Sequence, residues 1–388
     1  MAPVCYQVNL QRGLGGGEVY TAFFARALET LGVRTVLFAH PDASFWERHL
    51  PATTRVIPVQ RIDAIGRHLP SRSCWLAFHT PGSEAEVAPL RRAGHRLTAF
   101  AHMPLYGRDP ASLRPYEMLF AVSGHVLASL RAAAMADVYP EPLYGVAQLE
   151  GRGDEDEPVH AASPYAWDPR KLRDRLFGLG YRLYDRRRTR PAYARLPGIT
   201  LGIVSRLTPI KQFPLLFRHL APVLARHPRF RLEVFGAGGY ASVRDLRRAL
   251  SPLRERVRFW GGQTQVGTVY RRLDYLMTGL PEKEALGLNV LEAQACGCPV
   301  LAVEAPPFTE TVAPEVTGLL YPDPRSDRGA GFERLLLRLA SAPFRIERAA
   351  AATHLARFAP EAFRARVAGL LSWLGARGVL PERESECG

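Results

Sequence analysis

Lysine is almost missing from this chain. Of 51 basic residues only Lys171, Lys211 and Lys283 are lysine, so a lysine retained among arginines marks its position. Acidic residues are fewer, 37 in all, and the formal net charge of +14 calls for an acidic partner without selecting one. Cysteine is scarce as well: Cys5, Cys74, Cys296, Cys298 and Cys387 include no C-x-x-C pair and are odd in number, which argues for reduced, cytosolic thiols. Cys296 and Cys298 read as small packing residues. No apolar run reaches about 18 residues and no secretory leader precedes the first strand, so a membrane span is not expected. Also missing is an acidic residue at the end of a second strand. Gly236-Ala237-Gly238-Gly239-Tyr240-Ala241 satisfies G-x-G-x-x-A, but Phe38 is followed by Ala39-His40 and Trp260 by Gly261-Gly262, so a dinucleotide reading lacks its ribose contact. Asp154-Glu155-Asp156 satisfies D-x-D, yet it lies in an acidic loop with no apolar strand before it. It reads as a solvated loop, and no metal is expected.

What is present is material for two cores. The 388 residues are 47% hydrophobic, more than one core usually serves. Strands are expected at Val4–Val8, Thr35–Phe38, Cys74–Phe78, Leu97–Ala101 and Met118–Val122, then at Ile199–Val204, Arg231–Phe235, Val257–Trp260, Tyr275–Met277 and Val300–Val303. They alternate with helical runs, one of them carrying Val19, Phe23, Ala27 and Leu31 on one face. This pattern predicts an α/β protein with doubly wound parallel sheets. The expected division is an N-terminal domain over 1–165, a basic, Pro-rich connection over 166–197, a C-terminal domain over 198–360 and a final helical stretch over 361–388.

The densest chemical signal is the run from Glu284 to Val300, E-A-L-G-L-N-V-L-E-A-Q-A-C-G-C-P-V. It sets Glu284 and Glu292 eight positions apart at an expected helix start, a reach of roughly 12 Å if helical. That suits a ligand with a sugar at one end, a ribose at the other and a diphosphate between, and is too long for a shared metal. Leu286, Gly287 and Leu288 offer backbone N–H groups where the helix dipole favours phosphate. Arg206 and Lys211 follow a strand and supply a planar fork and a point charge for phosphate oxygens. Gly15, Gly16 and Gly17 open the first helix after a strand, and Gly236 and Gly238 form a second Gly-rich turn. His79 and His102 stand just beyond strand ends, where open α/β sheets bind ligands; each fits a ligand contact or a capped loop residue.

These motifs, in this order and with Thr317-Gly318-Leu319-Leu320 behind them, resemble the retaining GT-B glycosyltransferases of family 4 (group 1). The resemblance implies two Rossmann-like domains facing across a cleft, with a nucleotide-sugar donor in the C-terminal one and a glycan or lipid-linked acceptor mainly in the N-terminal one. It implies that Glu292 binds ribose hydroxyls, Glu284 orients the donor sugar, Arg206 and Lys211 neutralise the leaving diphosphate, and His102 contacts the donor sugar. Gly15, Gly16 and Gly17 would face the donor, Gly236 and Gly238 line the nucleotide pocket, and no metal or other cofactor is needed. It implies a hexosyl transfer with retention, of the kind that builds bacterial surface polysaccharide or lipopolysaccharide. The final helix would cross back to the N-terminal domain. Two departures stand out: Ala285 and Leu286 separate Glu284 from Gly287, and Ala305-Pro306-Pro307 replaces a Gly-Gly pair. Between Arg170 and Arg190 nine bases meet two acids with leucines interleaved, a composition that suits either docking on anionic lipid at the inner face of the membrane or a solvated linker. The readings from other classes are an NAD-dependent oxidoreductase, disfavoured as above, and a nucleic-acid-binding protein, suggested by charge alone.

Overall fold

The computed structural model describes residues 3–147, 157–167 and 190–380, with positions 174, 177, 178 and 180 between them. Asp154-Glu155-Asp156 and most of the basic stretch lie outside the described residues. The chain forms two compact units: Met1–Val146 with Ala356–Gly388, and Ala147–Leu355. The first boundary falls earlier than 165 because the backbone there belongs to the second unit: Ala162 N–H donates to the Trp260 carbonyl (2.8 Å) and Gly238 N–H to that of Pro164 (3.0 Å).

The first unit carries strands β1 (Val4–Asn9), β2 (Arg34–Ala39), β3 (Arg55–Pro58), β4 (Trp75–Phe78), β5 (Arg96–Ala101) and β6 (Met118–Ala121). They pair in the order β3-β2-β1-β4-β5-β6, all parallel. The second carries β7 (Ile199–Val204), β8 (Phe230–Phe235), β9 (Val257–Gly261), β10 (Tyr275–Met277), β11 (Val300–Val303) and β12 (Gly318–Tyr321). Its order is β12-β11-β10-β7-β8-β9, again all parallel. In each sheet the chain builds outward on one side and then restarts on the other. The strand order therefore reverses between β1 and β4 and between β7 and β10, and the crevice beyond the strand ends at such a point is where these sheets bind ligands.

Two strands, β3 and β12, were not expected. β3 is a short edge strand ending in Pro58, with three of its four residues exposed; it lacks the apolar run by which buried parallel strands are read. β12 coincides with the segment singled out as T-G-L-L. The helix Gly16–Thr30 is buried more fully than a single stripe at Val19, Phe23, Ala27 and Leu31 would require: Glu18 and every residue from Tyr20 to Ala25 is buried. The cause is the C-terminal helix Pro360–Gly375, whose Phe363 meets the Tyr20 ring edge-on at 5.5 Å and whose Trp373 meets Tyr139 at 5.3 Å. Phe363 is 1% exposed, so Phe363→Ala should cost about 3–5 kcal/mol. Its unfolding midpoint in denaturant should fall markedly; an unchanged midpoint would mean that this helix adds nothing to the first unit.

Candidate active site

In the second unit the loops that leave β7 and β10 converge on Lys211. The β7 loop runs Ser205-Arg206-Leu207-Thr208-Pro209-Ile210-Lys211 and is held by main-chain bonds to the neighbouring Gly-rich turn: Ser205 N–H to the Phe235 carbonyl (3.1 Å) and Leu207 N–H to that of Ala237 (2.9 Å). A Cβ at Gly236 would lie 1.9 Å from the Ser205 carbonyl oxygen, and one at Gly238 2.0 Å from that of Leu207. These glycines thus let two turns lie flush, a role in the fold beside the pocket-lining one that the resemblance implies. Gly279, which sequence reasoning passed over, does the same on the other side, since its Cβ would stand 2.1 Å from the Lys211 carbonyl oxygen. Its signal was available: a glycine two residues past a strand end.

Lys211 Nζ forms an ion pair with the Glu284 carboxylate, their side chains 22% and 14% exposed. Glu284 does not open the helix as expected. Its N–H donates to the Pro281 carbonyl at 2.9 Å, and the helix begins only at Leu288, after Gly287 in the left-handed region at φ +81°. Pro281 and Gly287 bend this backbone into a turn, so Glu284 folds back onto Lys211 rather than lying a helical rise from Glu292. Arg325 braces the same turn by pairing with Glu282 and with Asp323 at 2.5 Å.

Glu292 lies on the helix Leu288–Ala295 and accepts a hydrogen bond from the Tyr270 hydroxyl at 2.9 Å, a partner that no motif announced. Burial raises its carboxyl above the ordinary range, while the Tyr270 hydrogen bond and the Lys211 charge lower it in part. Lys211 is therefore paired with Glu284 and acts on Glu292 through its charge. The N–H groups of Leu286, Gly287, Leu288 and Asn289 have no acceptor among the described residues. Four free donors in succession at a helix entrance form an anion cradle. Arg206 is exposed, and its guanidinium has no hydrogen-bond or ion-pair partner among the described residues.

In the first unit, His79 and His102 meet at the ends of β4 and β5. His79 Nδ1 lies 3.1 Å from His102 Nε2, and its Nε2 lies 2.8 Å from Gln7 Oε1. His79 is buried and stacks on Phe100 at 4.4 Å, and burial with the neighbouring His102 pushes its imidazole well below the usual histidine range. Burial also holds His102 down, to about 4. His102 is therefore a neutral imidazole at neutral pH, able to donate one hydrogen bond and accept another, oriented through His79 by the buried Gln7. Gly15 precedes the helix Gly16–Thr30 in extended conformation. A Cβ at Gly17 would meet nothing within 4 Å, so packing in this unit does not demand glycine there.

Two doubly wound parallel units of this kind define a GT-B fold, and the comparisons with known proteins agree. The profile of "Glycosyl transferases group 1" matches residues 186–348. A D-inositol 3-phosphate glycosyltransferase of Rhodococcus erythropolis is 30% identical, across 87% of this chain and 81% of that one; its counterpart in Kribbella flavida is 28% identical across 79% of each. Among solved structures, Anabaena HepE in complex with UDP and glucose superposes with a TM-score of 0.67 at 19% identity, covering 96% of this chain and 100% of that one. The lipopolysaccharide outer core galactosyltransferase WaaB gives 0.62 at 16% identity, covering 95% and 98%. The chain belongs to the group 1 glycosyltransferases, and its activity is glycosyl transfer.

The desolvated carboxyl of the half-buried Glu292 sets a stability test. Its pKa in the fold is raised, so the folded state holds a proton that the unfolded chain has released, and stability is lost as pH rises from the ordinary glutamate value through the folded one. Glu292→Gln should raise the melting temperature at neutral pH and match the parent below about pH 4. An equal melting temperature at both pH values would place Glu292 in an environment as polar as water.

Proposed function

We propose that this enzyme transfers a hexose, with retention of configuration, from a nucleoside-diphosphate sugar bound in the second unit to a glycan or lipid-linked acceptor bound at the first. The observation that carries the donor reading is the grouping of Lys211, Glu284, Glu292 and four free amides at one switch point. Glu292 is the group for ribose hydroxyls, which would add donors beside the Tyr270 hydroxyl. The amides of 286–289 and the Arg206 guanidinium, without partners among the described residues, suit the diphosphate, and Lys211 is the charge for its leaving-group oxygens. In this reading fixed cations and a helix entrance meet the developing charge in place of a metal, and turnover should persist in excess EDTA. His102, neutral and held by His79, suits a sugar hydroxyl rather than an anion. The presence of UDP and glucose in the HepE complex supports UDP as the first nucleotide to try. The stretch 170–190 supports docking on anionic lipid, as a lipid-linked acceptor at the inner face of the membrane would require.

The deciding assay follows anomeric protons by NMR during turnover of UDP-, GDP- and ADP-sugars. Retention appears as a product anomer matching the donor; an inverted anomer overturns the mechanism, and no turnover of any donor overturns the donor class.

Because Glu284 holds Lys211, the two substitutions should act in opposite directions on UDP. Lys211→Ala removes a charge-assisted contact of about 1.5–3 kcal/mol and should weaken UDP binding about tenfold or more. Glu284→Gln releases Lys211 toward phosphate and should tighten UDP binding while turnover falls. Calorimetry with free UDP, run beside initial rates, reads both; weaker UDP binding in Glu284→Gln would mean that the ion pair orients Lys211 for the diphosphate rather than competing with it.

A further inference from the structure

The first unit presents a half-exposed aromatic ring that the donor chemistry does not use. β5 and β6 are hydrogen-bonded neighbours, with Ala101 opposite Ala121, so the segments that leave them run side by side next to His102. The β5 segment makes a turn in which Arg108 N–H donates to the Leu105 carbonyl at 2.9 Å and Gly107 adopts a left-handed φ of +66°. Leu105 N–H donates to Ser129 Oγ at 3.0 Å, which ties the turn to the helix Gly124–Ala132. Tyr106 stands at the corner of this tied turn, 49% exposed, with its ring tilted over the imidazole of His125 at 5.2 Å. His125 Nε2 is shielded from water and has no partner among the described residues.

The ring contact stabilises modestly, and neither feature is accounted for by burial. An exposed ring gains little from burial, and an unpaired shielded nitrogen costs about 1–3 kcal/mol. A fixed turn that presents an aromatic face at a strand-end rim is instead a means of binding. The platform is also uncharged, since burial depresses the His125 imidazole as it does His102. An uncharged aromatic face beside neutral imidazoles matches the C–H face of a pyranose, whose hydroxyls reach the ring edges. A phosphate would call for cations, and Arg108 is the neighbour it would use.

We propose that Tyr106, backed by His125, is the stacking platform for a neutral pyranose ring of the acceptor. The proposal rests on the reading that the first unit takes the acceptor, and names the acceptor's class: a neutral sugar ring rather than a phosphorylated polyol.

Saturation-transfer NMR on the full chain tests it, with methyl β-galactoside as the neutral probe and inositol 3-phosphate as the charged one. In the parent the strongest transfer should fall on the galactoside's H3, H4 and H5, the protons of its apolar face. Tyr106→Ala should lose at least about four-fifths of that transfer, and Tyr106→Trp should keep both its strength and its face selectivity. UDP affinity and donor hydrolysis should be unchanged in both variants, which separates this proposal from the donor reading: loss of donor turnover in the parent would sink the latter alone. Equal transfer in Tyr106→Ala, no face selectivity in the parent, or binding of inositol 3-phosphate that depends on Arg108 would each overturn the platform.

Discussion

One cation, paired with one carboxylate and acting by its charge on a second, organises the loops at the strand ends of the second unit. Lys211 pairs with Glu284 and lowers, by its charge, the carboxyl of the half-buried Glu292. Its own carbonyl is so closely covered by the β10 loop that position 279 admits only glycine. Such a pair, partly removed from water, is costly to break on one side, because the partner is then left as an uncompensated charge. In the proposed reading a ligand phosphate competes with Glu284 for Lys211, and the released carboxylate would need hydroxyl donors of the bound sugar in place of the ammonium. In that reading the pair holds Lys211 where a diphosphate would meet it, which accounts for a lysine kept in a chain that otherwise uses arginine. Arginine at this position would present a planar fork, with a different reach and geometry from a compact ammonium.

The two units solve the same problem with different chemistry. The second unit places Lys211 and Glu284 on the loops where strand order reverses, and the first places His79 at its reversal with His102 at the end of the next strand. In the second unit the crevice holds charge: Lys211, Glu284, Glu292, Arg206 and free amides. In the first, burial removes it. His79 and His102 are both held neutral by burial, and Gln7 fixes the pair from beneath. That contrast suits a donor recognised through its diphosphate and a partner recognised through hydroxyls and apolar ring faces.

Much of this was legible in the sequence because buried parallel strands are continuous apolar runs and helices alternate between them. Ten strands follow from that pattern; the exposed edge strand Arg55–Pro58 does not. The local motifs were equally visible, since glycines after strand ends and a lysine among arginines are readable one position at a time. What the pattern hid was distance in space. Lys211 and Glu284 are 73 residues apart, and nothing in either segment announces that they touch. The same holds for Tyr270 and Glu292. The helix start was misplaced because a run such as E-A-L-G-L-N-V-L carries helical periodicity straight through its turn. Only the left-handed conformation of Gly287 shows where the helix begins.

The scarcity of lysine provides the most direct test of the Lys211–Glu284 pair. With 15N-lysine labelling the side-chain spectrum should contain three ammonium signals, from Lys171, Lys211 and Lys283. One of them, absent from Lys211→Ala, should be protected from exchange in the free enzyme, become solvent-like in Glu284→Gln and shift on addition of UDP. A Lys211 signal that exchanges as fast as the other two and ignores both the substitution and the nucleotide would contradict the pairing.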